Sequence, residues 1–319
     1  MTDTPPIPII DLAGMGTADS DERIIAAIAK AYGTYGFGYV INHGITENMV
    51  RGVFAAAARF HAQDHQTKLK ISVNKAHRGF IALNTSTDST SDLAVVTKPN
   101  QSESFMMMRE DAVADPDIYL SGPNQWPDET ADIAPFREPV VAYHDAMITL
   151  GYALVERCVR AAGALPDDIM PAFTTPTSWL RLLYYPPQPE QRPDDLYGSA
   201  PHRDFGALTL LAQDDVGGLQ VLTPDKVWVD VPYLANSFVV NVGDMLHRLS
   251  NGRLLSTPHR VINKSGRERY SVPFFYDPHV TTNIAPLPGT GTPQFPPLRF
   301  DAFLRSELEA SYDVHQDQG

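Results

Sequence analysis

Between Ser178 and Tyr276 the apolar residues stop recurring every three or four positions and gather in short, alternating, β-rich runs. SWLRLLYY, ALTLLAQ, LQVLT, VWVDV, SFVVNV, RVIN and YSVPFFY follow one another at close spacing. Turn residues separate them: Asp215 with Gly217 and Gly218, Thr223-Pro224-Asp225, Asn251-Gly252 and Ser265-Gly266. Many short strands with regular punctuation predict a barrel or a jelly roll. Before that zone the period is helical. Ile24, Ile25, Ile28, Tyr32 and Tyr35 make one helical face, with Asp19 and Glu22 spaced as a capping box. Thr46 caps a second helix, and a long third one is expected from about Asp132 to Ala162, its His144, Met147 and Cys158 read as core. Residues 84–92, rich in Ser, Thr and Asp, read as a surface loop, and the tail returns to helix around Phe300–Tyr312. The predicted fold class is mostly β with flanking helices: a double-stranded β-helix, or jelly roll, backed by a helical layer. We expect a single compact unit over 1–319, with an amino-terminal region at 1–120 and a catalytic region at 176–280.

Charge and cysteine usage narrow the function. Lys and Arg total 25 and Asp and Glu 38, a net −13, and no basic cluster offsets it, so a nucleic-acid partner is not expected. No apolar run approaches the ~18 residues of a membrane span. Asp11 interrupts the short apolar stretch near the start, which is not a secretory signal. The single cysteine, Cys158, has no internal partner. A cytoplasmic protein acting on a small molecule is the expectation; the oligomeric state is not legible.

Of ten histidines, two carry a pattern that suggests chemistry. His202 and Asp204 stand at i and i+2 where a β run begins, so both side chains share one face and Arg203 points away. His259, 55 residues on at the start of another run, is the best third ligand. Two imidazoles and one carboxylate leave open positions on an octahedral ion, as non-haem Fe(II) requires for O2 and a co-substrate. Ten residues later, Arg269 and Ser271 share a strand face, a guanidinium fork beside a hydroxyl and suited to a carboxylate. Tyr185 offers a phenol to the same anion. His61 and His65, at i and i+4, lack the surrounding pattern of a metal site.

These strings resemble the iron/2-oxoglutarate-dependent dioxygenases of the isopenicillin N synthase-like family over nearly the whole chain. The resemblance runs through IPIIDL at 7–12, GFGYVINHGI at 36–45, YYPPQPE at 184–190, HRDFGALTLLAQDDVGGLQV at 202–221, NVGDMLHRLSNGRLLSTPHRVIN at 241–263 and RYSVPFFYDP at 269–278. It implies Fe(II) on His202, Asp204 and His259. It implies 2-oxoglutarate with its distal carboxylate at Arg269 and Ser271 and with Tyr185 in contact. It also implies oxidation of a small organic molecule with O2, by hydroxylation, desaturation or cyclisation, with release of succinate and CO2. One departure stands out: Leu183 occupies the place where plant-type members usually carry Asn. Two other readings remain open. Some relatives keep the Arg-x-Ser pair and act as oxidases without 2-oxoglutarate, including ethylene-forming enzymes, and a metal-binding jelly roll without catalysis is the third reading. For substrate contacts we expect the amino-terminal zone, the 75–110 region and the carboxy-terminal tail. Arg78, Phe80 and Phe105 are the candidates there, with the Met106–Met108 run, which reads equally well as core. Arg78 or Arg181 could draw an acidic substrate despite the net charge.

Overall fold

The computed structural model describes residues 7–87, 93, 96–188, 193 and 195–315. In chain order the elements are β1 (Ile9–Asp11), α1 (Ala18–Thr34), β2 (Phe37–Ile41), α2 (Glu47–His61), α3 (His65–Leu69), β3 (Gly79–Ile81), β4 (Glu103–Met108), α4 (Arg137–Ala161) and β5 (Thr177–Tyr185). Then come β6 (Ser199–His202), β7 (Leu208–Gln213), β8 (Leu219–Leu222), β9 (Trp228–Asp230), β10 (Ser237–Val242), α5 (Asp244–Leu249), β11 (His259–Val261) and β12 (Arg269–Asp277). A short pair, β13 (Asn283–Ile284) and β14 (Leu298–Arg299), precedes α6 (Phe300–Ser311).

The strands make a large sheet in the order β1-β2-β10-β7-β12-β5-β4-β3 and a small one in the order β6-β11-β8-β9. Alternation along each strand sets the layers. On β12, Val272, Phe274 and Tyr276 point to the helical side and join the main core with Met147, Leu150 and Leu154 of α4. A second apolar cluster lies between the two sheets, where Leu183, Tyr185, Val239 and Phe37 of the large sheet meet Leu219, Val221 and Val261 of the small one. The molecule is therefore a jelly roll with α1, α2 and α4 as its backing layer, as the change of period predicts. Among the described residues no helix is long and apolar enough to cross a membrane.

Several helix ends differ from expectation, each for a reason outside the local pattern. The first helix begins at Ala18 with Thr17 in the N-cap position, where it makes no side-chain cap; Asp19 sits inside the first turn, and it is Asp21 that accepts from the Gly16 N–H (3.0 Å). Helix α4 begins at Arg137, five residues later than expected, because Glu129 reaches back to accept from the backbone N–H groups of Phe136 (2.8 Å) and Arg137. Thr46 does cap α2, accepting from the Met49 N–H at 3.3 Å. His61 ends α2 and His65 opens α3, so the two do not share a helix. Of the 84–92 loop, residues 88–92 lie outside the described residues.

The helix–sheet contact is closest at Gly151. A Cβ there would stand 2.7 Å from Cγ of Tyr276, inside van der Waals contact. The ring cannot withdraw easily, because it is fully buried and its hydroxyl donates to the Phe173 carbonyl (2.8 Å). Gly151→Ala is therefore expected to lose about 1–3 kcal/mol of stability by overpacking, read as a lower denaturation midpoint with an unchanged slope.

Candidate metal and co-substrate centre

His202 and His259 are brought together by strand pairing. They are cross-strand partners on β6 and β11, with ring centroids 4.3 Å apart. Asp204 follows β6, and its Oδ1 lies 3.6 Å from Nε2 of His202 and 3.6 Å from Nε2 of His259. One atom from each of the three side chains falls within 4.8 Å of the others. The ring orientations suit a metal. Nδ1–H of His202 donates to the Ala200 carbonyl (2.7 Å), which leaves the Nε2 lone pair facing Asp204. Adjacent ligands of one ion stand roughly 3 Å apart, so the spacing fits with small adjustment.

The other carboxylate oxygen of Asp204 is held by protein donors. Asn241 Nδ2 donates to Oδ2 at 2.7 Å, and the Thr209 hydroxyl donates to the same atom. Burial raises the pKa of Asp204, but the two facing imidazoles in their protonated form and the Asn241 donor outweigh it and hold the carboxyl below the usual carboxylate range. Asp204 thus stays ionised and aimed. Neither Asn241 nor Thr209 stands out in the sequence, because each is an isolated polar residue flanked by apolar ones on its strand.

Arg269 and Ser271 lie on the inner face of β12, as alternation predicts. The Arg269 side chain is fully buried; its Nε donates to the Gly217 carbonyl (2.7 Å) and its Nη1 to Ser271 Oγ (3.2 Å). Tyr185, its cross-strand partner on β5, places its ring 4.6 Å from the guanidinium carbon. Nη2 reaches Gln213 Oε1 at 3.5 Å, a contact no sequence pattern marks. Among the described residues no carboxylate comes within ion-pair distance of Arg269. A buried cation held only by neutral groups fits an anion such as the distal carboxylate of 2-oxoglutarate. Leu183 pairs with Ser271 across the strands and supplies an apolar wall there.

A narrow cavity of about 80 Å³ opens beside His202 and Asp204. Its walls continue the same two strand faces: Trp179 and Arg181 on β5, Phe275 and Asp277 on β12. Burial pushes the Asp277 carboxyl up to about 7, against hydrogen bonds donated by the Ala207 N–H and the Trp179 indole. Gly206 lets the chain after Asp204 pass this carboxyl, since a Cβ there would stand 2.0 Å from Asp277 Oδ1.

The structure does not bring Arg78, Phe80 or Phe105 to this cavity. Phe80 and Phe105 are cross-strand partners on β3 and β4 that face the helices, packing on Phe60. Arg78 is buried and donates to the carbonyls of Leu120 (2.5 Å) and Arg109 (3.1 Å). Their chain neighbours line the cavity instead: His77 and Met106. A one-residue change in strand position exchanges faces, and the irregular 75–110 segment has no period from which to choose. The tail contributes Tyr312 to the cavity, and His315 Nε2 lies 2.9 Å from His77 Nδ1. His61 is not a ligand either, as its ring nitrogens are engaged by Glu103 (2.7 Å) and the Leu182 carbonyl (3.0 Å).

Comparison with known proteins agrees with this geometry. Residues 176–278 match the family described as the 2OG-Fe(II) oxygenase superfamily, and residues 7–129 match the non-haem dioxygenase amino-terminal family described from morphine synthesis. A 2-oxoglutarate-Fe(II) type oxidoreductase of Emericella nidulans, hxnY, is 34% identical over 96% of this chain and 90% of its own length. The chain belongs to the 2-oxoglutarate/Fe(II) oxygenase superfamily. It is an Fe(II)- and 2-oxoglutarate-dependent dioxygenase, an oxidoreductase that uses O2. A further relative, the 2-oxoglutarate-dependent dioxygenase citB of Monascus ruber, is 34% identical over 86% of this chain and 84% of its own. Among solved structures, a full-length Neurospora crassa protein in complex with alpha-KG and thymine superposes with a TM-score of 0.83 at 27% identity, covering 97% of this chain and 98% of that one. JOX2 in complex with 2OG, Fe and JA superposes with a TM-score of 0.78 at 28% identity, over 96% and 89%.

Proposed function

We propose that His202, Asp204 and His259 hold the Fe(II) of this dioxygenase, that Arg269, Ser271 and Tyr185 hold 2-oxoglutarate, and that a small organic molecule is oxidised in the cavity beside Trp179 and Arg181. The observation that carries this reading is the single carboxylate oxygen of Asp204 facing both Nε2 atoms at 3.6 Å. Residues 176–280 form the catalytic unit in this reading and residues 1–120 its amino-terminal cover. The lone cysteine, buried in α4, suits the reducing cytoplasm.

Bound iron with 2-oxoglutarate supplies the oxygen activation, at the expense of converting 2-oxoglutarate to succinate and CO2. The chain's own residues set the stage for it. Ala200 fixes the ring of His202, and Asn241 and Thr209 fix the carboxylate of Asp204. Arg269 takes the distal carboxylate of the co-substrate between two sheets, where water is excluded and the ion pair strengthened. Trp179, Phe205 and Phe275 bound the space next to the metal and hold the substrate there.

Calorimetric titration with Mn(II), a redox-inert stand-in, followed by 2-oxoglutarate tests this reading. One equivalent of each is expected, with 2-oxoglutarate binding enhanced by the metal. Asn241→Ala, which removes an orienting donor, is expected to weaken Mn(II) binding by about 10–100-fold. Failure of the wild-type protein to bind Mn(II) would reject the assignment.

A further inference from the structure

The cavity wall carries a positive charge with no counter-ion among the described residues. Arg181 lies mid-way along β5, opposite Met106 of β4, and faces the cavity beside Trp179. Its Nε donates to Ser104 Oγ at 2.9 Å and its Nη1 to the Tyr312 hydroxyl at 3.2 Å. Both partners are neutral hydroxyls, and no described carboxylate comes within ion-pair distance. The carboxylates nearby are turned elsewhere: Asp277 accepts from the Trp179 indole and the Ala207 N–H, and Asp204 faces the two imidazoles. The hydroxyls hold the guanidinium plane, which leaves Nη2 without a protein acceptor among the described residues.

A guanidinium oriented in this way, partly out of water and un-neutralised, is a receptor for a carboxylate. Trp179, Phe205 and Phe275 give the same cavity flat apolar faces, and its volume of about 80 Å³ admits only a compact ligand. We propose that the substrate is a small planar or aromatic carboxylate, its anion paired with Arg181 and its ring against Trp179 and Phe275. The end remote from the anion is then directed to the metal side chains. This inference rests on the site reading above and specifies the substrate class for it.

The test uses the full chain, kept anaerobic and loaded with Mn(II) and saturating 2-oxoglutarate, so that Arg269 is already occupied. Benzoate and its neutral near-isostere benzamide are titrated by calorimetry. The wild-type protein is expected to bind benzoate about tenfold or more tightly than benzamide, as a charge-assisted pair requires. In Arg181→Gln the two affinities are expected to converge, through loss of benzoate binding alone, while 2-oxoglutarate uptake holds. Arg181→Lys retains a reduced preference and stands in should the Gln variant fail to take up 2-oxoglutarate. Equal affinities in the wild type, binding of neither probe, or a benzoate preference that survives Arg181→Gln would overturn the proposal. The preceding Mn(II) and 2-oxoglutarate titrations separate the two levels. A wild type that takes up neither rejects the site reading and this inference with it; one that takes up both yet shows no preference rejects the substrate class alone.

Discussion

Asp204→Ala is expected to abolish iron-dependent succinate formation, with a loss well beyond the ~10–100-fold that removal of an outer orienting partner causes. Three effects act together. The variant loses one of the three proposed ligand atoms, and with it the one carboxylate of that cluster among the described residues. It leaves the two imidazoles facing each other without the carboxylate that lies 3.6 Å from both. It also strands the donors of Asn241 and Thr209 in a buried place, a cost of about 1–3 kcal/mol for each unsatisfied group. The order of effects is therefore diagnostic. In Mn(II) titrations Asp204→Ala binds no metal, Asn241→Ala binds it weakly, and both keep the secondary structure of the wild type by circular dichroism. An Asp204→Ala protein that still releases succinate in an iron-dependent way would show that the metal sits elsewhere.

What could be read from the sequence, and what could not, divides along strand geometry. The residues proposed for the metal and the co-substrate are legible because each lies on a regular strand or next to one, where a period of two assigns faces without further knowledge. His202 with Asp204 and Arg269 with Ser271 follow that rule. Carried further along the same strands, it also yields Phe275 and Asp277 on β12 and Arg181 and Trp179 on β5, walls of the cavity beside His202 and Asp204. Where the chain is irregular the rule has nothing to act on. Phe80 and Phe105 pack on Phe60 of the helical layer and Arg78 is engaged by the Leu120 and Arg109 carbonyls, while the residues that line the cavity are their neighbours His77 and Met106. Partners supplied by a distant segment were equally hidden. Asn241 reaches Asp204 across 37 positions, and Gln213 reaches Arg269 across 56. Glu129 closes the start of α4 from a loop that shares no helical pattern with it. The fold class, by contrast, needed no partner at all: the change from helical to alternating period before β5 locates the jelly roll by itself.

Arg269→Ala is expected to raise the 2-oxoglutarate requirement by about 10–100-fold, with Mn(II) affinity unchanged. The magnitude follows from burial. Hydrogen bonds to a charged group contribute about 1.5–3 kcal/mol, and each 1.4 kcal/mol is a factor of ten. Arg269 is fully buried, so solvent screens little of that contribution. Ser271→Ala removes only a neutral donor and is expected to cost less, about 0.5–1.5 kcal/mol. Arg269→Ala also strands the Gly217 carbonyl that Nε of Arg269 satisfies, which lowers stability, so Arg269→Met, which refills part of the volume, is measured beside it. Both variants should show the same shift in 2-oxoglutarate dependence while differing in thermal midpoint. If either folds, binds Mn(II) and keeps the wild-type 2-oxoglutarate requirement, Arg269 does not hold the co-substrate, and its buried charge must serve another anion.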